Sequence, residues 1–123
     1  MRPKLLAALL IASPMLSACA PEIDYEPRVI GGNAERGRAA LVRHECGVCH
    51  VIPGIGAAVG QVGPALDDYS RRPYVAGKFP NEPATLVRWI VDAPAMAPRT
   101  AMPAIEMSQQ EARDIAAYLY EGN

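Results

Sequence analysis

The chain of 123 residues holds three cysteines and two histidines. Four of these five side chains fall within residues 44–50, "HECGVCH", as His44, Cys46, Cys49 and His50. A redox disulfide of thioredoxin type would need a strand before the Cys-x-x-Cys pair and a helix after it, whereas here the helix-forming stretch comes first. A zinc site would need four donors, so His44 would have to bend back as the fourth. The third chemistry is covalent attachment of haem. The C-x-x-C-H spacing sets both thiols where each can add to a vinyl group on one porphyrin edge, with the next histidine aimed at the iron. On that reading Cys46 and Cys49 are thioether anchors and His50 is the proximal ligand. A chance match would also have to account for an export signal in the same chain, described below.

A low-spin electron-transfer haem needs a second strong ligand, and "RTAMPAIEM" contains candidates. Met102 precedes Pro103, which holds its backbone extended and throws the thioether clear of the local chain. Met96 and Met107 are rivals. Met107 stands just before a helix cap, where packing against Ala112 suits it, and Met96 suits core filling.

The elements that must position these residues are short helices. Asn33 can cap a helix through "AERGRAALVRHE" that ends near Cys46, with Gly37 and Leu41 on one face. Gly37 in a helix interior costs about 1 kcal/mol against alanine, which points to a close helix contact there. Residues 51–80 carry too many glycines and prolines for long elements and read as loop with a turn or two of helix. Asn81 offers the next cap, Pro83 a first turn, and Leu86, Trp89 and Ile90 share a face before Asp92-Ala93-Pro94. Ser108 and Glu111 form a capping box for a last helix with Ala112, Ile115, Ala116, Tyr118 and Leu119 inward, ending at Gly122. Three helices and two long loops leave a small core, and a cofactor could supply the missing volume.

Formal charge is −1 and the basic residues are scattered, which excludes a nucleic-acid stripe. One phenylalanine and twelve prolines argue against a sheet-rich fold. Arg2 and Lys4, the apolar Leu5–Leu16 and the small residues that follow have the layout of an export signal over residues 1–18. Leu16-Ser17-Ala18-Cys19 resembles a bacterial lipobox, making Cys19 a lipidation site and the membrane surface a partner through its acyl chains. Cleavage there removes Arg2 and Lys4, leaving ten basic against thirteen acidic side chains. Residues 19–32, including "APEIDYEPRVI", read as an acylated N-terminus and tether, and residues 33–123 as the domain.

Over residues 31–121 the chain resembles the class I c-type cytochromes, closest to bacterial single-haem domains that serve as small carriers or are fused to haem-copper oxidase subunits. The matching pieces are "GNAERGRAAL", "CGVCH", "VGPALDDYSRRPYVAGKFPN", "LVRWI", "AMP" and "SQQEARDIAAYL". The resemblance implies an all-α small cytochrome c fold, three main helices and long loops wrapped around one covalent haem c. It implies that Gly37 and Leu41 meet Ile115 and Tyr118 where the first and last helices cross. It further implies that the Pro64 carbonyl accepts from the second nitrogen of His50, that Arg72 pairs with a haem propionate, and that Tyr74, Asn81 and Trp89 are further propionate or distal-pocket donors. Arg71 could replace Arg72, Tyr74 could only cover the haem edge, and Trp89 could be core. Compared with mitochondrial members, the first helix reaches the haem motif with one extra residue near His44 and Glu45.

The expected function is single-electron transfer by His50/Met102-ligated haem in a periplasmic or membrane-surface respiratory chain, with a positive midpoint and no enzymatic turnover. The alternatives are a five-coordinate haem that binds gas or reduces peroxide, and a fixed subunit of an oxidase or dehydrogenase complex. Partners would be redox proteins docking briefly to a monomer or complex subunit. Whether the inner or the outer membrane holds the lipid is left open.

Overall fold

The computed structural model describes residues 29–121. The export signal, the lipidation site Cys19 and the tether up to Arg28 lie outside the described residues. Four helices, α1 (Ala34–Arg43), α2 (Pro83–Val91), α3 (Ala93–Met96) and α4 (Gln109–Tyr120), make up most of the regular structure. A two-residue hairpin, β1 (Tyr74–Val75) with β2 (Phe79–Pro80), is the only sheet among the described residues. Its antiparallel register sets Tyr74 opposite Pro80 and Val75 opposite Phe79. No helix in this range is long and apolar enough to cross a membrane.

The helix starts follow the sequence at α1 and α4. Asn33 accepts from the Arg36 amide at 2.9 Å, which satisfies one of the N–H groups left over at a helix start. Ser108 and Glu111 cap each other reciprocally at 3.1 and 2.8 Å. At α2 the cap falls on Glu82, which makes no side-chain bond, with Pro83 in the first turn. Asn81 is drawn off instead by three tertiary bonds. Its amide donates to the carbonyls of Tyr69 and Arg72, both at 2.8 Å, and its oxygen accepts from the Tyr120 hydroxyl at 2.8 Å. Asp92 closes α2 through its own N–H and then caps α3 by accepting from the Ala95 amide at 3.0 Å, so the expected stop begins a fourth short helix.

The first helix ends at Arg43, short of Cys46, because Glu45 takes a left-handed conformation (φ 54°). That residue turns the chain into a single 3₁₀ turn over Cys46–Val48. The hairpin was not expected. Ala76 and Gly77 both have positive φ, and this tight reversal brings Phe79 back beside Val75.

Helix α4 is buried almost all round, with α1 packed on one side and α2 on another. The α1–α4 approach is backbone to backbone: a Cβ on Gly37 would overlap the Asp114 carbonyl. Leu41, Leu86, Val75 and Ile115 are the largest fully buried side chains, at the centre of the core. Asp114, 3% exposed, is the one buried charge in this range. Its carboxylate accepts from Arg36 Nε and Nη2, both at 2.8 Å, and from the Asn33 amide and Gln110 Nε2, both at 2.9 Å. Its pKa is held below the usual carboxylate range, chiefly by the Arg36 hydrogen bonds. The packed unit also takes in residues 29–32, assigned above to the tether. Val29 packs on the core and Gln110 donates to the Gly31 carbonyl at 2.7 Å.

Gly37→Ala is expected to destabilise the fold by about 1–3 kcal/mol in denaturant unfolding. Helix propensity alone favours alanine by about 1 kcal/mol, so a neutral or stabilising result would contradict the backbone contact. Glu111 has its pKa lowered to about 2, first by the Ser108 amide and then by Arg43. Since the unfolded value is near 4.3, its contribution is present above about pH 5 and is lost as pH falls toward 2. Glu111→Gln should therefore flatten the acid limb of the stability profile, measured from pH 7 downward.

Candidate haem cleft

The 3₁₀ turn at Cys46–Val48 closes on itself, with the Cys49 and His50 amides both donating to the Cys46 carbonyl at 3.2 and 3.0 Å. Cys46 and Cys49 are both free thiols, each half-buried. Burial pushes the Cys46 thiol up, so it is held as a neutral group. The two alternative chemistries for this pair lack their settings. The element before it is α1 rather than a strand, and His44 Nε2 is engaged by Glu111 at 3.3 Å. Among the described residues no three His, Cys, Asp or Glu side chains come together to hold a metal.

His50 is fixed from behind. Its Nδ1 donates to the Pro64 carbonyl at 2.7 Å. A carbonyl only accepts, so Nδ1 carries a proton, and in the neutral ring the lone pair is on Nε2. The ring lies against Gly63, where a Cβ would overlap it. The Gly63 amide donates to the Cys49 carbonyl at 2.7 Å, and the Leu66 amide to that of Val51 at 2.8 Å. The loop that supplies the acceptor is thus bonded to the motif it serves.

These groups open onto a cleft of about 1260 Å³, larger than the roughly 300–1,000 Å³ common for small-molecule sites. Leu41, Leu86, Ile90, Ile115 and Leu119 line its interior, and Met102, Tyr74, Trp89 and Arg72 line it too. Eight of the nine residues named from sequence for cofactor contact meet here: Cys46, Cys49, His50, Pro64, Arg72, Tyr74, Trp89 and Met102. Asn81 does not. Its amide hydrogens are committed to two backbone carbonyls, so it braces the loop rather than donating into the cleft. Of the two arginines only Arg72 lines the cleft. Its Nη2 lies 2.7–2.9 Å from the Ala65 and Asp67 carbonyls and the Asp67 carboxylate, and its guanidinium stacks 5.2 Å from the Tyr69 centroid. Tyr74 is more than half exposed at the rim, and Trp89 is half-buried and tilted against Phe79.

Among the methionines, Met96 faces a separate small pocket with Arg88 and Gln109. Met107 borders the cleft but packs against the core. The Met102 loop is anchored on both sides. Its amide donates to Thr100 Oγ1 at 3.2 Å, Ala104 bridges to Asp92, and the Ile105 amide donates to the Val91 carbonyl at 3.0 Å.

Sequence reasoning missed Tyr69. It is 6% exposed and lines the cleft, and its hydroxyl has no hydrogen-bond partner among the described residues. Burial pushes its pKa up to about 12 against the opposing pull of Arg72. No buried side-chain polar atom among the described residues lacks a partner, so this hydroxyl is open to the cleft, and a ligand with an acceptor at that wall fits the site. An apolar cleft, two free thiols, an imidazole whose Nδ1 is held from behind and this hydroxyl together suit a flat, mostly apolar group with polar edges. The signal was weak because tyrosine in a polar loop, "DDYSRR", resembles a surface residue.

A family model described as Cytochrome c matches residues 34–122. The chain is also 32% identical over 87 residues to cytochrome c oxidase subunit 2 of Alkalihalophilus pseudofirmus. That match covers 70% of this chain but 25% of the relative, so the chain spans about a quarter of that protein's length.

Gly63→Ala should swing the His50 ring off the Pro64 carbonyl. In proton NMR the hydrogen-bonded Nδ1–H resonance of His50 in the parent is expected to broaden or vanish in the variant, and an unchanged resonance would contradict the packing described.

Proposed function

The chain belongs to the cytochrome c family, whose members transfer electrons through haem. From that premise we propose that it is a single-electron carrier with one c-type haem held through Cys46 and Cys49, ligated by His50 and Met102. In the same reading residues 1–18 direct export, Cys19 carries lipid, and the domain works at a bacterial membrane surface in the periplasm. Donors and acceptors are redox proteins of a respiratory chain.

The carrying observation is the His50–Pro64 bond at 2.7 Å, which leaves Nε2 as a donor atom on a cleft that Met102 also lines. Bound there, a c-type haem supplies a one-electron ferric/ferrous couple. The Pro64 carbonyl keeps the Nδ1 proton in place and makes Nε2 a stronger donor. Leu41, Leu86, Ile90, Ile115 and Leu119 keep water from the interior of the cleft, which favours the less charged oxidation level and so a positive midpoint. Tyr69 and Arg72 offer hydrogen bonds to acidic groups at the edge. Glu45 is the one carboxylate among the lining residues. The named relative supports a second reading, in which the domain is a fixed part of an oxidase-type complex.

Mass spectrometry of protein extracted from membranes should find one haem and acyl chains on Cys19. The ferric spectrum should carry a weak band near its red edge from sulfur–iron ligation. Met102→Ala should abolish that band, lower the midpoint and admit carbon monoxide. A parent protein that lacks the band and binds carbon monoxide readily would favour the five-coordinate alternative, and co-purification with a large complex in mild detergent would favour the subunit reading.

A further inference from the structure

Two polar groups of the cleft hang on one short piece of backbone. Tyr69 opens a 3₁₀ turn over Tyr69–Arg71 and Arg72 follows it, while the chain enters through a left-handed Asp68 (φ 46°) that makes no side-chain cap. The turn's own bonds run from the Arg71 amide to the Asp68 carbonyl at 3.0 Å and from the Arg72 amide to the Tyr69 carbonyl at 3.3 Å. Two such bonds hold a 3₁₀ turn poorly, so tertiary contacts must fix its place. Asn81 supplies them. Its side-chain amide spans the carbonyls of Tyr69 and Arg72, and its backbone N–H donates to the Pro73 carbonyl at 3.1 Å. Both side-chain hydrogens face atoms that only accept, so Oδ1 must face the Tyr120 hydroxyl and the amide cannot turn over. Tyr120, 3% exposed, ends α4 and does not line the cleft. Its ring meets that of Tyr69 edge-on, with centroids 6.2 Å apart, so it reaches the turn both directly and by way of Asn81.

We infer, resting on the haem-carrier reading above, that Tyr120 is a positioning residue: acting through Asn81, it sets the Tyr69 hydroxyl and the Arg72 guanidinium where they meet the acidic edge groups of the haem. Without the Tyr120 hydroxyl, Asn81 Oδ1 loses its donor behind the cleft wall, where a polar atom without a bond is costly. The amide then tilts to recover one, and the carbonyls of Tyr69 and Arg72 are released with it. Tyr118 gives the contrast. Also on α4 and 5% exposed, it donates through its hydroxyl to the Pro53 carbonyl at 2.6 Å, in the loop that follows the cysteines, and Pro53 does not line the cleft. The same substitution on the same helix therefore loosens a different loop.

The midpoint of the haem-loaded full chain, measured as a function of pH, tests this. A guanidinium beside a carboxyl lowers its pKa by about 1–3 units, so loosened donors let the acidic edge groups bind protons at higher pH. Tyr120→Phe, which keeps the ring, is expected to move the pH range over which the midpoint falls upward by at least about half a unit. Tyr118→Phe should leave that range where the parent has it. Asn81→Ala should reproduce the shift, with Asn81→Ser in its place should Asn81→Ala fold poorly, and Tyr120→Phe added to either should move the range no further, because one residue acts through the other. Asp67, bonded to Arg72 at 2.9 Å, and His44, Glu45, Lys78 and Arg99 on the cleft walls are the same in every variant, so their share of the pH response cancels in the comparison. A sulfur–iron band kept throughout shows that ligation is intact. Both tyrosine variants are expected to lose stability in denaturant, and a loss with no pH shift in Tyr120→Phe would leave Tyr120 a purely structural residue and overturn the inference. Equal shifts from the two tyrosines, additive shifts from Tyr120 and Asn81, or a parent midpoint flat with pH would overturn it as well. A chain with no haem absorbance would sink the carrier reading instead.

Discussion

The contact between the backbones of α1 and α4 at Gly37 and Asp114 sets the position of everything that faces the cleft. With no side chain between the helices, the end of α1 reaches the motif at a fixed height over Ile115 and Leu119, two of the residues inside the cleft. Asp114 then locks the crossing by taking donors from Asn33, Arg36 and Gln110. A carboxylate at such a site would be costly if left unpaired. With four donors around it, the charge fixes the angle as well as the distance. Arg36, half-exposed, is the cheaper half of the pair to move, so the geometry resides mainly in the aspartate.

The residues of the site were legible because their chemistry demands local spacing. Cys46, Cys49 and His50 are read from one five-residue run, and Met102 from the proline after it. The helices were legible where capping is local, as at Asn33 and at Ser108 with Glu111. What escaped was set by contacts distant in sequence. Asn81 has the composition of a cap, but two carbonyls and the Tyr120 hydroxyl outbid the helix for it. The hairpin at Tyr74–Pro80 depends on positive φ at Ala76 as well as at Gly77, and alanine gives no such signal. Tyr69 and Asp114 are polar residues in polar surroundings by sequence, and only the fold buries them. Glu45, just before the motif, takes a left-handed conformation that its residue type does not signal.

The two ends of the cleft differ in how they are stiffened. On the cysteine side the loop from Val51 to Leu66 is bonded back to the motif through Gly60, Gly63 and Leu66. On the methionine side the support comes from α2, through Asp92, Ala104, Val91 and Ile105. Each wall therefore draws on a separate network, and a side chain from one is not needed to hold the other. A change of charge inside the cleft would meet rigid backbone on both sides.

Asn33 and Asp114, joined by the bond that closes the crossing, are 81 residues apart in sequence. Contacts of such long range form only after a large loop has been closed, and they form slowly. During synthesis and emergence from the ribosome, α1 has nothing to dock against until α4 has appeared. Until that crossing closes, the Cys46 and Cys49 thiols lie on a stretch of chain whose neighbouring helix has no packed partner.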